Sequence, residues 1–193
     1  MPGDPVFDNF YSTQMRSIHD RVIVQRYYRD AGVAALDAIG PVILLTHSQS
    51  GAIGWAITDA RPKLVKAIVA VEPASALGDF RMIGAPDWFK YEKTENPGQL
   101  AKRLTWSPAL KNPDDLTFEL QEHADGPELV RRWVQTGRKR KLANLAGIPI
   151  VIVTGEASPH AAYDHGTSAF LREAGVEKTI SGSPTAASAA TAT

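Results

Sequence analysis

The stretch Pro41-Val-Ile-Leu-Leu-Thr-His-Ser-Gln-Ser-Gly51 decides the fold. Its first six residues read as a buried strand, and small residues then make a tight turn. A helical pattern follows over about residues 52–60, with Pro62 just past it. Strand, sharp turn with an isolated serine, then helix is the context a nucleophile elbow requires. In the pattern G-x-S-x-G, the places two either side of the nucleophile hold small residues, because strand and helix pass close together there. Around Ser48 those places hold Thr46 and Ser50. Ser50 is small enough; Thr46 is β-branched, so the match is partial. Gly51 can relieve the helix start. The competing reading makes Ser48 and Ser50 ordinary helix caps.

Three runs together carry a resemblance: Gly40-Pro-Val-Ile-Leu-Leu-Thr-His-Ser-Gln-Ser-Gly51, Val69-Ala-Val-Glu-Pro73 and Gly147-Ile-Pro-Ile-Val-Ile-Val-Thr-Gly-Glu156. In this order the chain resembles the α/β-hydrolase superfamily, nearest the esterase-type group with a His-Ser-Gln-Ser-Gly elbow. The resemblance covers roughly residues 3–176 and is weaker over about 77–141. Members of that group are serine hydrolases. The resemblance implies Ser48 as nucleophile, Glu72 as the acid of a triad, and a small-molecule ester as substrate. It places the family's catalytic His in a Gly-rich loop beyond the last matching strand. The chain is expected to stop before that loop, as a truncated member.

Composition narrows the alternatives. Among 193 residues, 21 basic and 21 acidic side chains balance to zero formal charge, so nothing points to nucleic acid or an anionic membrane as the main partner. Cysteine is absent, so there is no disulfide framework and no thiolate metal site. The opening Met1-Pro-Gly-Asp-Pro has no basic-then-apolar signal pattern, and no apolar run approaches the roughly 20 residues of a membrane helix. The cytoplasm is the default compartment on this reading.

Residues 1–13 read as an irregular leader, and residues 14–39 as a helix that Gly40-Pro41 stops. A second strand is expected over about 64–71, with Ala67-Ile-Val-Ala-Val71 a continuous apolar run suited to a parallel strand covered on both faces, and a third over about 148–153. A helix over about 161–174 follows, ended by Gly175. The fold class is therefore α/β: a partial α/β-hydrolase fold with a parallel sheet of at least three strands and flanking helices. Residues 1–180 make the domain; within it, about 77–141 form a mostly helical, cap-like insertion, with helix-like pieces near 114–123 and 127–138. Arg138-Lys-Arg-Lys141 reads as a solvated face. The tail 181–193, rich in Ala, Ser and Thr, reads as disordered low-complexity sequence. The unpaired strand edge at 41–46 predicts self-association.

Acyl transfer by serine needs an exposed nucleophile, an imidazole, an orienting carboxylate and oxyanion donors. Ser48 supplies the first. The backbone N–H of Gln49, at the helix start, supplies one oxyanion donor. The resemblance puts the second donor on a loop that would precede Met1; losing one donor costs on the order of 10² to 10³ in rate. Glu72 and Glu156 both follow an apolar strand on the carboxyl edge of the sheet, and the resemblance favours Glu72. There are five histidines. His47 sits beside Ser48 but points the other way along the strand end. His19 lies on the leading helix and His123 in the insertion. His160 and His165 follow the third strand on the correct edge. His165 or His160 could substitute for the missing base, although the resemblance implies that a His near this position is not the base. The two stand five apart with Asp164 between, which suggests a metal, but that spacing misses the helical i, i+4 pair, so neither metal nor cofactor is expected. The expected outcome is a serine esterase that lacks its base. The alternative is an inactive relative that binds at most a small apolar ligand.

Overall fold

The computed structural model describes residues 2–14, 18, 20–74 and 100–182. In chain order the elements are helices α1 (Pro5–Ser12) and α2 (Arg21–Ile39), strand β1 (Val42–His47), helix α3 (Ser50–Ala60) and strand β2 (Val65–Val71). The short strands β3 (Trp106–Ser107), β4 (Thr117–Leu120), β5 (Trp133–Thr136) and β6 (Lys141–Leu142) follow. Strand β7 (Ile150–Val153), helix α4 (Asp164–Glu173) and strand β8 (Thr179–Gly182) close the described chain.

The apolar runs do form a parallel sheet, in the order β1-β2-β7-β8. Leu45 pairs with Val69, Val69 with Val151, and Val151 with Ile180, so one row of side chains crosses all four strands. Alternation then sorts the residues by face. Ile68, Ala70, Ile150 and Ile152 are fully buried, under Trp55 of α3 and Phe170 and Leu171 of α4. The opposite face carries Ile43, Leu45, Val151 and Ile180, which are 68%, 69%, 40% and 65% exposed. Helix α2 packs on α3, and Arg61 ties the two together through a two-pronged pair with Asp37.

Four expectations from the sequence need correction. The leader is not wholly irregular: Asp4 accepts hydrogen bonds from the Val6 and Phe7 N–H groups and Pro5 stands at the first helical position, a start signal for α1. Helix α2 begins at Arg21, not near 14, because Asp20 caps it by accepting from the Val22 and Ile23 N–H groups. A fourth strand, β8, was not foreseen, and it takes in Ser181 and Gly182 at the head of the expected tail; the remainder of the tail lies outside the described residues.

The largest correction concerns the insertion. Neither 114–123 nor 127–138 is helical. A short 3-10 turn at Pro113–Asp115 leads into β4, which pairs antiparallel with β5 from Thr117↔Thr136 to Leu120↔Trp133. The reason is period: Thr117-Phe-Glu-Leu alternates, and Phe118 points onto Phe170, with ring centroids 6.1 Å apart. A second small ladder pairs β3 with β6. Ala101, Leu104, Trp106, Leu116 and Leu142 join the same core as the sheet, so the described insertion has no separate core. Residues 75–99, with Trp88, lie outside the described residues.

Candidate active site

Strand β1 ends at His47, and the next residue turns sharply. Ser48 has φ 52°, a left-handed conformation that a side-chain-bearing residue adopts at a cost of about 1–3 kcal/mol. The turn is held by backbone: Ser48 N–H donates to Val71 O at 3.1 Å, while Ser48 C=O accepts from Gly51 N–H at 2.9 Å and Ala74 N–H at 2.7 Å. The side chain is exposed. Among the described residues its hydroxyl makes no hydrogen bond.

Close approach explains the small residues. A Cβ on Gly51 would lie 2.5 Å from Pro73 Cβ, and one on Gly54 would lie 2.6 Å from Thr46 Cγ2. The bulk of Thr46 is thus accommodated one helical turn later, by Gly54. The Ser50 hydroxyl ties the helix start to the strand end, accepting from His47 N–H at 2.8 Å and donating to His47 C=O at 2.7 Å. Gln49 stands at the N-cap of α3 without a side-chain capping bond.

Glu72 ends β2 in the same unusual region, at φ 43°. Its Oε1 accepts from the Gly155 N–H at 3.1 Å. The Ser158 hydroxyl, donating to the carboxylate, is the largest influence that holds Glu72 below the usual glutamate range; partial burial opposes it, and the Gly155 N–H and the charges of His160 and His47 assist. Glu156, the other candidate acid, is exposed and takes no part in this cluster.

The loop after β7 brings a second carboxylate and an imidazole to the same edge. Asp164 is 2% exposed. It accepts from Thr154 Oγ1 at 2.7 Å and meets His160 Nδ1 at 3.0 Å. The Tyr163 ring lies 4.5 Å from the His160 ring, and burial, with the charges of Asp164 and Glu72, pushes its phenol well above the ordinary range. His165, five residues on, is elsewhere: its Nε2 lies 3.8 Å from Asp125 beside Arg132, and burial lowers its pKa. His123 is exposed next to Glu122. His19 lies outside the described residues. No group of three His, Asp or Glu side chains gathers as a metal-ligand set among the described residues.

Of the residues singled out in the sequence, Ser48, Gln49 and Glu72 come together at one edge, linked through Pro73 and the Ser48 carbonyl. Sequence reasoning did not find Thr154 or Ser158, and it weighed Asp164 only as a metal partner of His160 and His165. The spacing of His160 and Asp164, i and i+4, carried a signal for one of these partnerships.

No family model matches the chain. It is 37% identical over 180 residues to the probable secreted lipase phiG of a fungus (Fungal sp. strain ATCC 74256), an alignment covering 91% of this chain and 46% of that protein. It is 27% identical over 173 residues to the lipase LipV of Mycobacterium tuberculosis, covering 77% of this chain and 64% of that protein. The chain therefore spans about half the length of the first and under two thirds of the second. By sequence this chain is similar to two proteins named as lipases.

Proposed function

We propose that the chain carries the nucleophile half of a serine hydrolase site for small carboxylic esters. Ser48 is the nucleophile, Glu72 the site's acid, and the Gln49 N–H an oxyanion donor at the positive end of α3. One observation carries the reading: Ser48 is exposed and left-handed at the carboxyl end of β1, with Glu72, also left-handed, ending the neighbouring strand. Strain at two adjacent strand ends is the kind of local cost that functional sites hold. The resemblance to proteins named as lipases supports the ester as substrate class.

The site is proposed to be incomplete as a triad, because no imidazole bonds to the Ser48 hydroxyl among the described residues and one oxyanion donor is unassigned. An inactive relative is the second reading, favoured by the same bare hydroxyl. A fluorophosphonate probe separates them. The folded chain should label slowly at Ser48, seen by mass spectrometry, and Ser48→Ala should remove the label. Folded protein that stays unlabelled over hours supports the inactive reading.

A further inference from the structure

A cleft of about 90 Å³ opens between α2, α3 and the 3-10 turn at Ala101–Arg103. That is well below the roughly 300 Å³ at which sites for drug-sized ligands begin, and it suits one small ion. Helix α2 gives the cleft Val22, Gln25, Arg26 and Arg29, at the i, i+3, i+4, i+7 spacing of a single stripe. Helix α3 faces them with Ala56, Asp59 and Ala60, and the two alanines are small enough to leave the space open. Arg103 supplies a third guanidinium to the same lining.

The polar groups of this lining lack partners of their own. Gln25 is 5% exposed, yet its side chain makes no hydrogen bond among the described residues. An amide buried to that degree ordinarily finds one. Arg26 and Arg103 are exposed and form no ion pair among the described residues, although Arg26 lies over the Tyr27 ring at 5.2 Å. Arg29 turns Nε and Nη2 to Asp30. The Asp59 carboxylate opposes an anion here, but it is at salt-bridge distance from none of the three guanidiniums. It accepts instead from Thr105, at 3.1 Å from N–H and 2.9 Å from Oγ1. The last carbonyls of α3 are taken too, Asp59 O by Asn144 and Ala60 O by Arg61. Three guanidiniums less the carboxylates of Asp30 and Asp59 still leave one positive charge around the opening.

We propose that this cleft binds a small oxyanion of the phosphate class, held by Arg26, Arg29 and Arg103 and hydrogen-bonded by the Gln25 amide. Guanidinium forks match the paired oxygens of such an anion, and a buried neutral donor adds a bond without adding charge. The site does not draw on Ser48. From Ser50 to Asp59 is nine residues, about 14 Å along α3 at 1.5 Å per residue.

Calorimetric titration of the full chain with inorganic phosphate tests the site, with sodium chloride at matched ionic strength as the control and circular dichroism as the check on folding. Phosphate should bind saturably at one site per chain, and chloride should give no such isotherm. Arg26→Gln combined with Arg103→Gln should weaken phosphate binding by about tenfold or more with the dichroism unchanged, the scale of one charge-assisted hydrogen bond. Asp59→Asn keeps an acceptor for Thr105 and removes the opposing charge, so it should tighten binding. Glycerol phosphate run in parallel identifies the source: a tighter monoester marks a phosphorylated small molecule, and a tighter inorganic ion marks free phosphate. A folded wild-type chain without saturable binding overturns the proposal. So does a phosphate affinity that the double arginine variant leaves unchanged, or one that falls in folded Asp59→Asn.

Discussion

Two side chains, Ser48 and Glu72, hold left-handed backbone where glycine would be at ease. The fold keeps them there through backbone bonds, from Ser48 to Val71 and Ala74 and from Glu72 to Val153, while the Gly155 N–H donates to the Glu72 carboxylate. Glu72 repays attention at this scale because its ionisation reports on the loop above it. Its folded pKa is depressed, chiefly by the Ser158 hydroxyl. A depressed carboxylate contributes stability that is present above the unfolded-state pKa and is lost as pH falls through the folded one. Ser158→Ala should therefore move the Glu72 pKa up toward the ordinary glutamate value and shift the onset of acid unfolding to higher pH. Carboxyl carbon shifts followed against pH measure the first effect, and an unmoved Glu72 would show that Ser158 does not set it. This pair was not legible in the sequence: Glu72 and Ser158 are far apart along the chain, and only the folded sheet brings β2 and β7 side by side.

At the scale of elements, β1 and α3 approach so closely that the pair Thr46 and Gly54 acts as one unit. The Cβ of Gly54→Ala would meet Thr46 Cγ2 at 2.6 Å. Overpacking of this sort costs about 1–3 kcal/mol. Thr46→Ser removes the methyl group in question, so the double variant should recover much of that loss. Urea unfolding of the two single variants and the double variant measures the coupling, and strict additivity would refute the steric account. The sequence signalled the elbow-like turn but placed the misfit at Thr46 alone, because a pentapeptide pattern does not look one helical turn ahead. Strands β1, β2 and β7 were legible for a simpler reason: each contains an unbroken apolar run of four or more residues, at 42–45, 67–71 and 150–153. The insertion was misread because Thr117–Leu120 is short and polar on one side, and its partner Trp133–Thr136 lies beyond a loop. A ladder between distant segments leaves little local trace. The fourth strand was missed because only Ile180 in Thr179–Gly182 is large and apolar.

At the scale of the whole molecule, the sheet has one well-filled face and one bare face among the described residues. Helices α3 and α4 and the insertion cover Ile68, Ala70, Ile150 and Ile152 completely. Parallel sheets are as a rule covered on both faces, and their strands are apolar on both. Here the second face presents Ile43, Leu45, Val151 and Ile180 in neighbouring register across the strands, and β1 is an open edge among the described residues. Such a surface removes itself from water by association, at roughly 25 cal/mol for each Å² buried. The chain on its own should therefore self-associate at micromolar concentration and bind a hydrophobic dye in its folded state. Leu45→Lys combined with Ile180→Lys places two charges on the row and leaves the filled side untouched. That variant should lose most of the dye signal and elute nearer monomer mass in size-exclusion chromatography with light scattering. Because both substitutions sit at side chains more than half exposed, they should change the unfolding midpoint little, which separates lost association from lost folding. A wild-type chain that is already a dye-silent monomer would mean that the face is covered in solution by part of the chain itself, and the association account would fail.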